Sequence, residues 1–214
     1  MDTQKRLIAS ERDEAARAAW REQEALTAAT QYLFVDHCGG QMNMTPRYAR
    51  APRGEWAYGS VPRTHHTTTT VFASLSARGM GECMTIVGAA DGDAFVAGCP
   101  LGSMRAFLVP MLVPRLVPRQ VVVLDTLRVQ KDARGAPLSA AAGCRRCSLP
   151  SYSPDFNPIA LAFSTIKTAM RRIAARTHDA LVDALGPTLD TGTNADVVGW
   201  YHLCGYSLEV VHPS

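Results

Sequence analysis

Two aspartates stand where this chain could do chemistry. Asp36 closes the apolar run Tyr32-Leu-Phe-Val35, and Asp125 closes Gln120-Val-Val-Val-Leu124. A short, continuous apolar run bounded by turn residues reads as a buried strand. Each carboxylate is therefore expected at the carboxyl end of a strand, the place where ligands gather in an α/β sheet. A hard cation such as Mg²⁺ is held by a few carboxylates with water and substrate phosphate, so two converging acids are a candidate metal site. A lone aspartate at a strand end is more often a turn former or a helix cap, and neither residue carries the metal reading alone.

Basic residues form the second feature. Residues 45–58 interleave Arg47, Arg50 and Arg53 with Tyr48, Trp56 and Tyr58, and Arg63 follows. Arginines among aromatics on an extended ribbon suit phosphate contact and base stacking. A solvated hairpin with ordinary surface arginines fits the residue types equally well. Further along, Lys167, Arg171, Arg172 and Arg176 lie off the apolar face of a predicted helix. The net charge of +3 permits a nucleic-acid partner without requiring one.

The stretch that organises the rest is Ser153-Pro-Asp-Phe-Asn-Pro-Ile-Ala-Leu-Ala-Phe163. Pro154 and Pro158 disfavour the α region at the residues before them and predict a stiff, extended approach. Pro158 suits the first turn of a helix, and Asn157 is a natural N-cap. Ile159, Phe163, Ile166, Met170 and Ile173 then recur at steps of three and four, the apolar face of an α-helix. A helix entered so rigidly holds its first turn in a fixed place.

The remaining elements must position these groups. The length of 214 residues suffices for one well-buried α/β domain, and 47% hydrophobic with 19% charged residues is a globular balance. No apolar run reaches the ~18 residues of a membrane span, and residues 1–20 lack an apolar signal core. The reading is cytoplasmic, with no membrane partner and with reduced thiols. Cys144 and Cys147 form a C-x-x-C, but no second ligand pair lies at zinc-site spacing. Ser10-Glu-Arg-Asp13 is expected to cap a helix over 14–26 whose one large anchor is Trp20. Thr67–Ser76 and Cys83–Val87 are predicted strands around an Arg78-Gly79 turn. A broken or late-starting helix is expected within 93–113, because Gly98, Pro100, Gly102 and Pro110 interrupt it, with Pro114 and Pro118 closing it. A second weakened helix is expected over 132–142, then a short strand over 144–149. Thr177 and Asn194 are expected to cap two last helices, the second stopped by Gly205. The organisation expected is a helical lead-in over 1–30, a core domain over 31–176 and a helical extension over 177–214.

Tyr152-Ser-Pro-Asp-Phe-Asn-Pro-Ile159 resembles the signature of mariner-like insertion-sequence transposases of the Asp-Asp-Glu superfamily. Phe34-Val-Asp-His-Cys-Gly39, Arg50-Ala-Pro-Arg-Gly54, Val123-Leu-Asp125 and Tyr206 resemble other family segments in the same order. The resemblance covers nearly the whole chain. It implies an RNase H-like fold, a mixed sheet with helices on both faces, and the succession of predicted strands and helices agrees. It also implies DNA transposition: metal-dependent cleavage and transfer of DNA strands, with transposon ends as the DNA partner; a homodimer or a pairing with an intact transposase is the assembly expected. Related transposases carry a helix-turn-helix domain before such a segment, and nothing of that kind precedes Met1, so the chain resembles the catalytic part.

The resemblance assigns Asp36 and Asp125 as catalytic metal ligands for Mg²⁺ or Mn²⁺. In-line attack on a phosphodiester develops charge on the entering and leaving oxygens, and two divalent ions ~4 Å apart stabilise both. The third acid of the family falls at Ala160. The 34 residues between Asp125 and that position (126–159) are close to the family's spacing. An alanine cannot bind a metal, so the expectation is a transposase catalytic domain that is inactive or severely impaired, with the ion weakly bound. Asp155 is read as structural, and His37 as a partly exposed neighbour. The expected DNA contacts are Arg47, Arg50, Arg53, Arg63, Lys167 and Arg171. The competing readings are a non-catalytic module that grips DNA or pairs with an intact transposase, and a decayed mobile-element remnant. The Gly and Pro interruptions of the two inner helices fit the latter, since local preference there conflicts with the global pattern.

Overall fold

The apolar run at 32–35 becomes the central strand of a five-stranded mixed sheet, in a computed structural model that describes residues 9–40, 44–46, 48–60, 68–87, 107–124, 143–175 and 177–208. Strand β1 spans Tyr32–Gly40, β2 Thr69–Ser76, β3 Gly79–Val87, β4 Val121–Leu124 and β5 Arg145–Ser148. Their spatial order is β3-β2-β1-β4-β5. The first three are antiparallel; β4 lies parallel to β1, and β5 parallel to β4. The expected Arg78-Gly79 turn joins β2 to β3, with Gly79 at φ 116°, a left-handed conformation that glycine adopts without a Cβ clash.

Side-chain alternation divides the sheet into two cores. Tyr32 and Phe34 of β1, with Val121 and Val123 of β4, face one; Leu33, Val35, Val122 and Leu124 face the other. Helices α1 (Glu14–Ala25), α2 (Pro158–Ile173), α3 (His178–Leu189) and α4 (Asn194–Leu203) cover the first core through Trp20, Ile159, Phe163, Leu181 and Trp200. Phe107, Leu108 and Leu112 cover the second. Both faces of β4 are thus covered, and its four residues are all buried, as a continuous apolar run requires. An edge-to-face aromatic cluster of Phe34, Tyr201 and Tyr206, with centroids 5.1–5.8 Å apart, ties β1 to α4 and the chain beyond it.

Several local expectations are corrected. Strand β1 does not end at Asp36 but continues four residues to Gly40, because β2 keeps pairing there. The N-cap of α1 is Asp13, whose side chain accepts from the Ala16 N–H, while the Ser10 hydroxyl bonds to Glu11. The cap of α4 is Thr193, not Asn194, because Asp196 completes a capping box with it. Thr177 caps α3 as expected. Residues 154–156 form a 3₁₀ turn rather than an extended approach. Ile173 falls off the buried face of α2 and is half exposed. The chain at 108–115 is a π-helical turn followed by a 3₁₀ turn, so the expected break is present there, and Pro114 lies inside the second turn. The expected helix over 132–142 lies outside the described residues. Cys144 donates to the Val117 carbonyl from one core, and Cys147 accepts from Gln23 against the other, so the two sulfurs do not share a ligand.

Candidate active site

Asp36 owes its position to a mismatch between its two neighbours. The parallel ladder of β1 with β4 ends at Val35 opposite Leu124. The antiparallel ladder with β2 runs on through Asp36 opposite Ala73 to Gly40 opposite Thr69. Asp36 is therefore the first β1 residue beyond the parallel pair, with its backbone still held by β2. Its side chain keeps 18% of its exposure.

Two elements orient this carboxylate. Oδ1 accepts from the His37 backbone N–H at 2.7 Å and lies 3.5 Å from His37 Nδ1. The His37 ring, partly exposed, stacks on Phe72 with centroids 5.5 Å apart. Oδ2 accepts from Asn157 Nδ2 at 2.9 Å. Asn157 is the N-cap residue of α2 by position, yet its side chain makes no cap hydrogen bond. The amide turns away from the helix and toward β1. Three residues on, the Ala160 N–H donates to the Asn157 carbonyl at 3.1 Å, so Ala160 sits in the first turn of the helix that contacts Asp36.

The turn before α2 is anchored by α1. Arg17 donates Nη1 to Asp155 Oδ1 at 2.9 Å and Nη2 to Oδ2 at 2.6 Å, a bidentate fork. The guanidinium carbons of Arg17 and Arg21 lie 4.1 and 4.9 Å from the Phe156 ring centroid, within cation–π range. The Phe156 carbonyl accepts from the Tyr206 hydroxyl at 2.8 Å. Successive residues 155, 156 and 157 thus bind α1, the chain after α4, and β1. Trp20 is not the only anchor of α1, since Arg17 is buried as well.

This anchor has a pH signature. The hydrogen bonds from Arg17 hold the Asp155 carboxyl below its ordinary value of 3.8, against partial burial, which pushes it up. A carboxyl lowered in the folded state adds stability that is full above the unfolded value and is lost as pH falls through the lower, folded one. Between about pH 5 and about pH 2, the urea midpoint should fall more in the unaltered protein than in Arg17→Met. Equal slopes would show that the bridge contributes nothing to acid sensitivity.

The other residues singled out from the sequence are placed as follows. Lys167 and Arg171 are half-buried on α2. Arg50 and Arg53 are exposed in a stretch, 48–60, that forms neither strand nor helix. Its one backbone turn runs from Glu55 N–H to the Pro52 carbonyl, so the hairpin alternative has no paired strands among the described residues. Tyr48, Trp56 and Tyr58 are more than four-fifths exposed there. Asp125, Arg47 and Arg63 lie outside the described residues. Among the described residues, no group of three or more His, Cys, Asp and Glu side chains gathers as a metal-binding cluster. Sequence reasoning missed Asn157 as a partner of Asp36 and Arg17 as a partner of Asp155. Neither had a local signal: Asn157 and Pro158 agree on a capped helix start, and an arginine in an Ala/Glu-rich helix gave no hint of the second.

Residues 31–182 match the family model described as DDE superfamily endonuclease. That span is most of the chain. The chain belongs to the DDE superfamily endonuclease family. No curated protein matches it. Among solved structures it is similar to the Mos1 transposase paired-end complex with left transposon end, at TM-score 0.67 and 12% identity over 94% of this chain and 62% of that one. The mariner Mos1 paired end complex with Mg follows at TM-score 0.62 and 11% identity, over 98% and 68%. The catalytic domain of Mos1 mariner transposase matches at TM-score 0.59 and 10% identity, over 92% and 90%. At these identities the likeness is one of fold: this family member has the RNase H-like sheet, as the signature around Asn157 implied. The chain spans about three-fifths of the first structure's length. Among the described residues, no helix of this family member is long and apolar enough to cross a membrane.

Proposed function

We propose that this chain is the catalytic domain of a mariner-like transposase, retaining a DNA-binding scaffold but severely impaired in strand cleavage. The observation that carries this reading is the 2.9 Å contact between Asp36 and Asn157, which joins the first acid's strand to the helix turn bearing Ala160. Asp125 is the second acid of this reading. The pairing of Val35 with Leu124 supports it, since each aspartate directly follows its paired residue in sequence. The donor set suits a hard ion: Asp36 offers partly exposed carboxylate oxygens, one beside His37 Nδ1 and one on the Asn157 amide. A bound Mg²⁺ or Mn²⁺ would supply a lowered water pKa and charge stabilisation at the scissile phosphate. Two of the structurally similar Mos1 complexes are described as containing Mg and Mn, which agrees with that choice. Asp36 and Asp125 would hold the ion, and Ala160 adds no ligand.

The DNA side of the function falls to Arg47, Arg50, Arg53 and Arg63 with their exposed aromatics, and to Lys167 and Arg171 on α2. Two of the Mos1 structures are paired-end complexes, one of them with the left transposon end, and transposon-end DNA, bound by a homodimer or in a pair with an intact transposase, is the partner proposed here. Duplex DNA should bind without metal, with log affinity falling linearly in log salt at a slope of about −0.9 per phosphate neutralised. Charge-removal variants at Arg50 and Arg53 should flatten that slope. A chain that fails to retard DNA at low salt would overturn the reading. The alternative, a binding or pairing module without chemistry, is favoured by Ala160 alone, and the gain-of-function experiment in the Discussion separates the two.

A further inference from the structure

We infer that Asn157 is itself a ligand of the divalent ion at Asp36, its side-chain carbonyl supplying a donor that the missing acid does not. This rests on the reading of Asp36 as a metal ligand. Three observations lead to it.

First, Asn157 is in the N-cap position of α2 and declines that role. A satisfied cap is worth about 1 kcal/mol, and the residue instead keeps its amide, 8% exposed, against Asp36. Second, its backbone is fixed on both sides, by the 3₁₀ turn at 154–156 and by Pro158, so the amide is delivered with little freedom. Third, the spacing admits two ligands of one ion. Adjacent oxygens around an octahedral ion with bonds of about 2.0–2.1 Å are separated by about 2.9 Å, a distance that N–H···O hydrogen bonds share. The Asp36 Oδ2 to Asn157 amide distance is 2.9 Å. A half-turn of the amide exchanges Nδ2 and Oδ1 in nearly the same two positions. Without an ion the amide nitrogen donates to the carboxylate; with one, the carbonyl oxygen takes that place and both oxygens face the metal. Amide carbonyls are ordinary ligands for hard cations, weaker than carboxylates because they bring no charge.

The test is a titration of the full chain with Mn²⁺, following free Mn²⁺ by electron paramagnetic resonance. Asn157→Ala should weaken binding on the order of tenfold or more. Unchanged or tighter binding overturns the inference, and since a residue that only orients Asp36 could cost a similar factor when removed, the Asn157 side-chain carbonyl resonance separates the two roles. Asp36→Asn is the control that keeps the two ideas apart. Binding indifferent to Asp36→Asn removes the metal-site reading itself, whereas binding that needs Asp36 but not Asn157 removes only the present inference. The unaltered protein labelled with ¹³C at asparagine decides between ligand and neighbour, whether or not Asn157→Ala folds. Mg²⁺ must then shift the Asn157 side-chain carbonyl resonance, and a carbonyl unmoved at saturation overturns the assignment.

Discussion

Ala160→Glu is expected to raise Mn²⁺-dependent nicking of duplex DNA on the order of 10³-fold, because ligands of one metal centre act as a unit and the loss of one removes most activity. The geometry favours acceptance of the new side chain. Ala160 is the third residue of α2 and is only partly buried. The first turn of α2 contains no acidic residue, so a glutamate there also meets the positive end of the helix, an interaction worth about 0.3–1 kcal/mol. Folding should therefore survive, and circular dichroism should not distinguish the variant from the parent. Asp36→Asn in the Ala160→Glu background should return nicking to the parent's level. If the unaltered chain nicks as fast as Ala160→Glu, the proposed impairment is wrong. If the variant folds, binds DNA and still does not nick, the chain is a binding module rather than a damaged enzyme.

Asp155→Ala should cost about 3–5 kcal/mol of folding stability, at the lower end of that range, and more than Arg17→Met costs. The asymmetry follows from exposure and chemistry. The Arg17 side chain is 5% exposed and that of Asp155 34%. A guanidinium cannot shed its proton within a protein, so removing Asp155 leaves a buried charge. Glu14 Oε2, 3.5 Å from Arg17 Nε, compensates only from a largely exposed side chain. Removing Arg17 instead leaves a carboxylate that can turn toward water, and methionine can still cover the Phe156 ring. The double variant Arg17→Met/Asp155→Ala should recover most of the loss, since neither charge then remains. Urea unfolding of the four proteins measures this, and an Asp155→Ala midpoint equal to the parent's would refute the anchoring role. The same variant loosens the turn that ends in Asn157, so its Mn²⁺ affinity should fall with its stability.

Much of the architecture was legible because it depends on local periodicity. The runs at 32–35 and 121–124 are short, continuous and bounded by turn residues, as buried strands are, and the steps of three and four from Ile159 to Met170 are those of one buried helix face. The ends of elements were less legible. Asp36 read as a strand end because the apolar run stops there, but β2 supplies pairing that outlasts the run by four residues. Asn157 read as a cap because its type and the following proline both say so; nothing local reveals that Asp36 competes for its amide. Ile173 continues the apolar spacing, yet α2 ends with it, beyond the reach of the core.

The sequence by itself determined the strands of the sheet and the four helices around them among the described residues, and it supplied the proposed metal acids and the reading of 160 as the third acid's position. Composition and spacing are local quantities, and burial imposes them residue by residue. Only the tertiary structure decided which polar groups meet. The Arg17–Asp155 and Asp36–Asn157 contacts join residues 138 and 121 positions apart. Such pairs depend on strand register and on how α1 and α2 pack over the sheet. A buried polar group must find some partner, but which one comes within reach is settled only when the sheet closes.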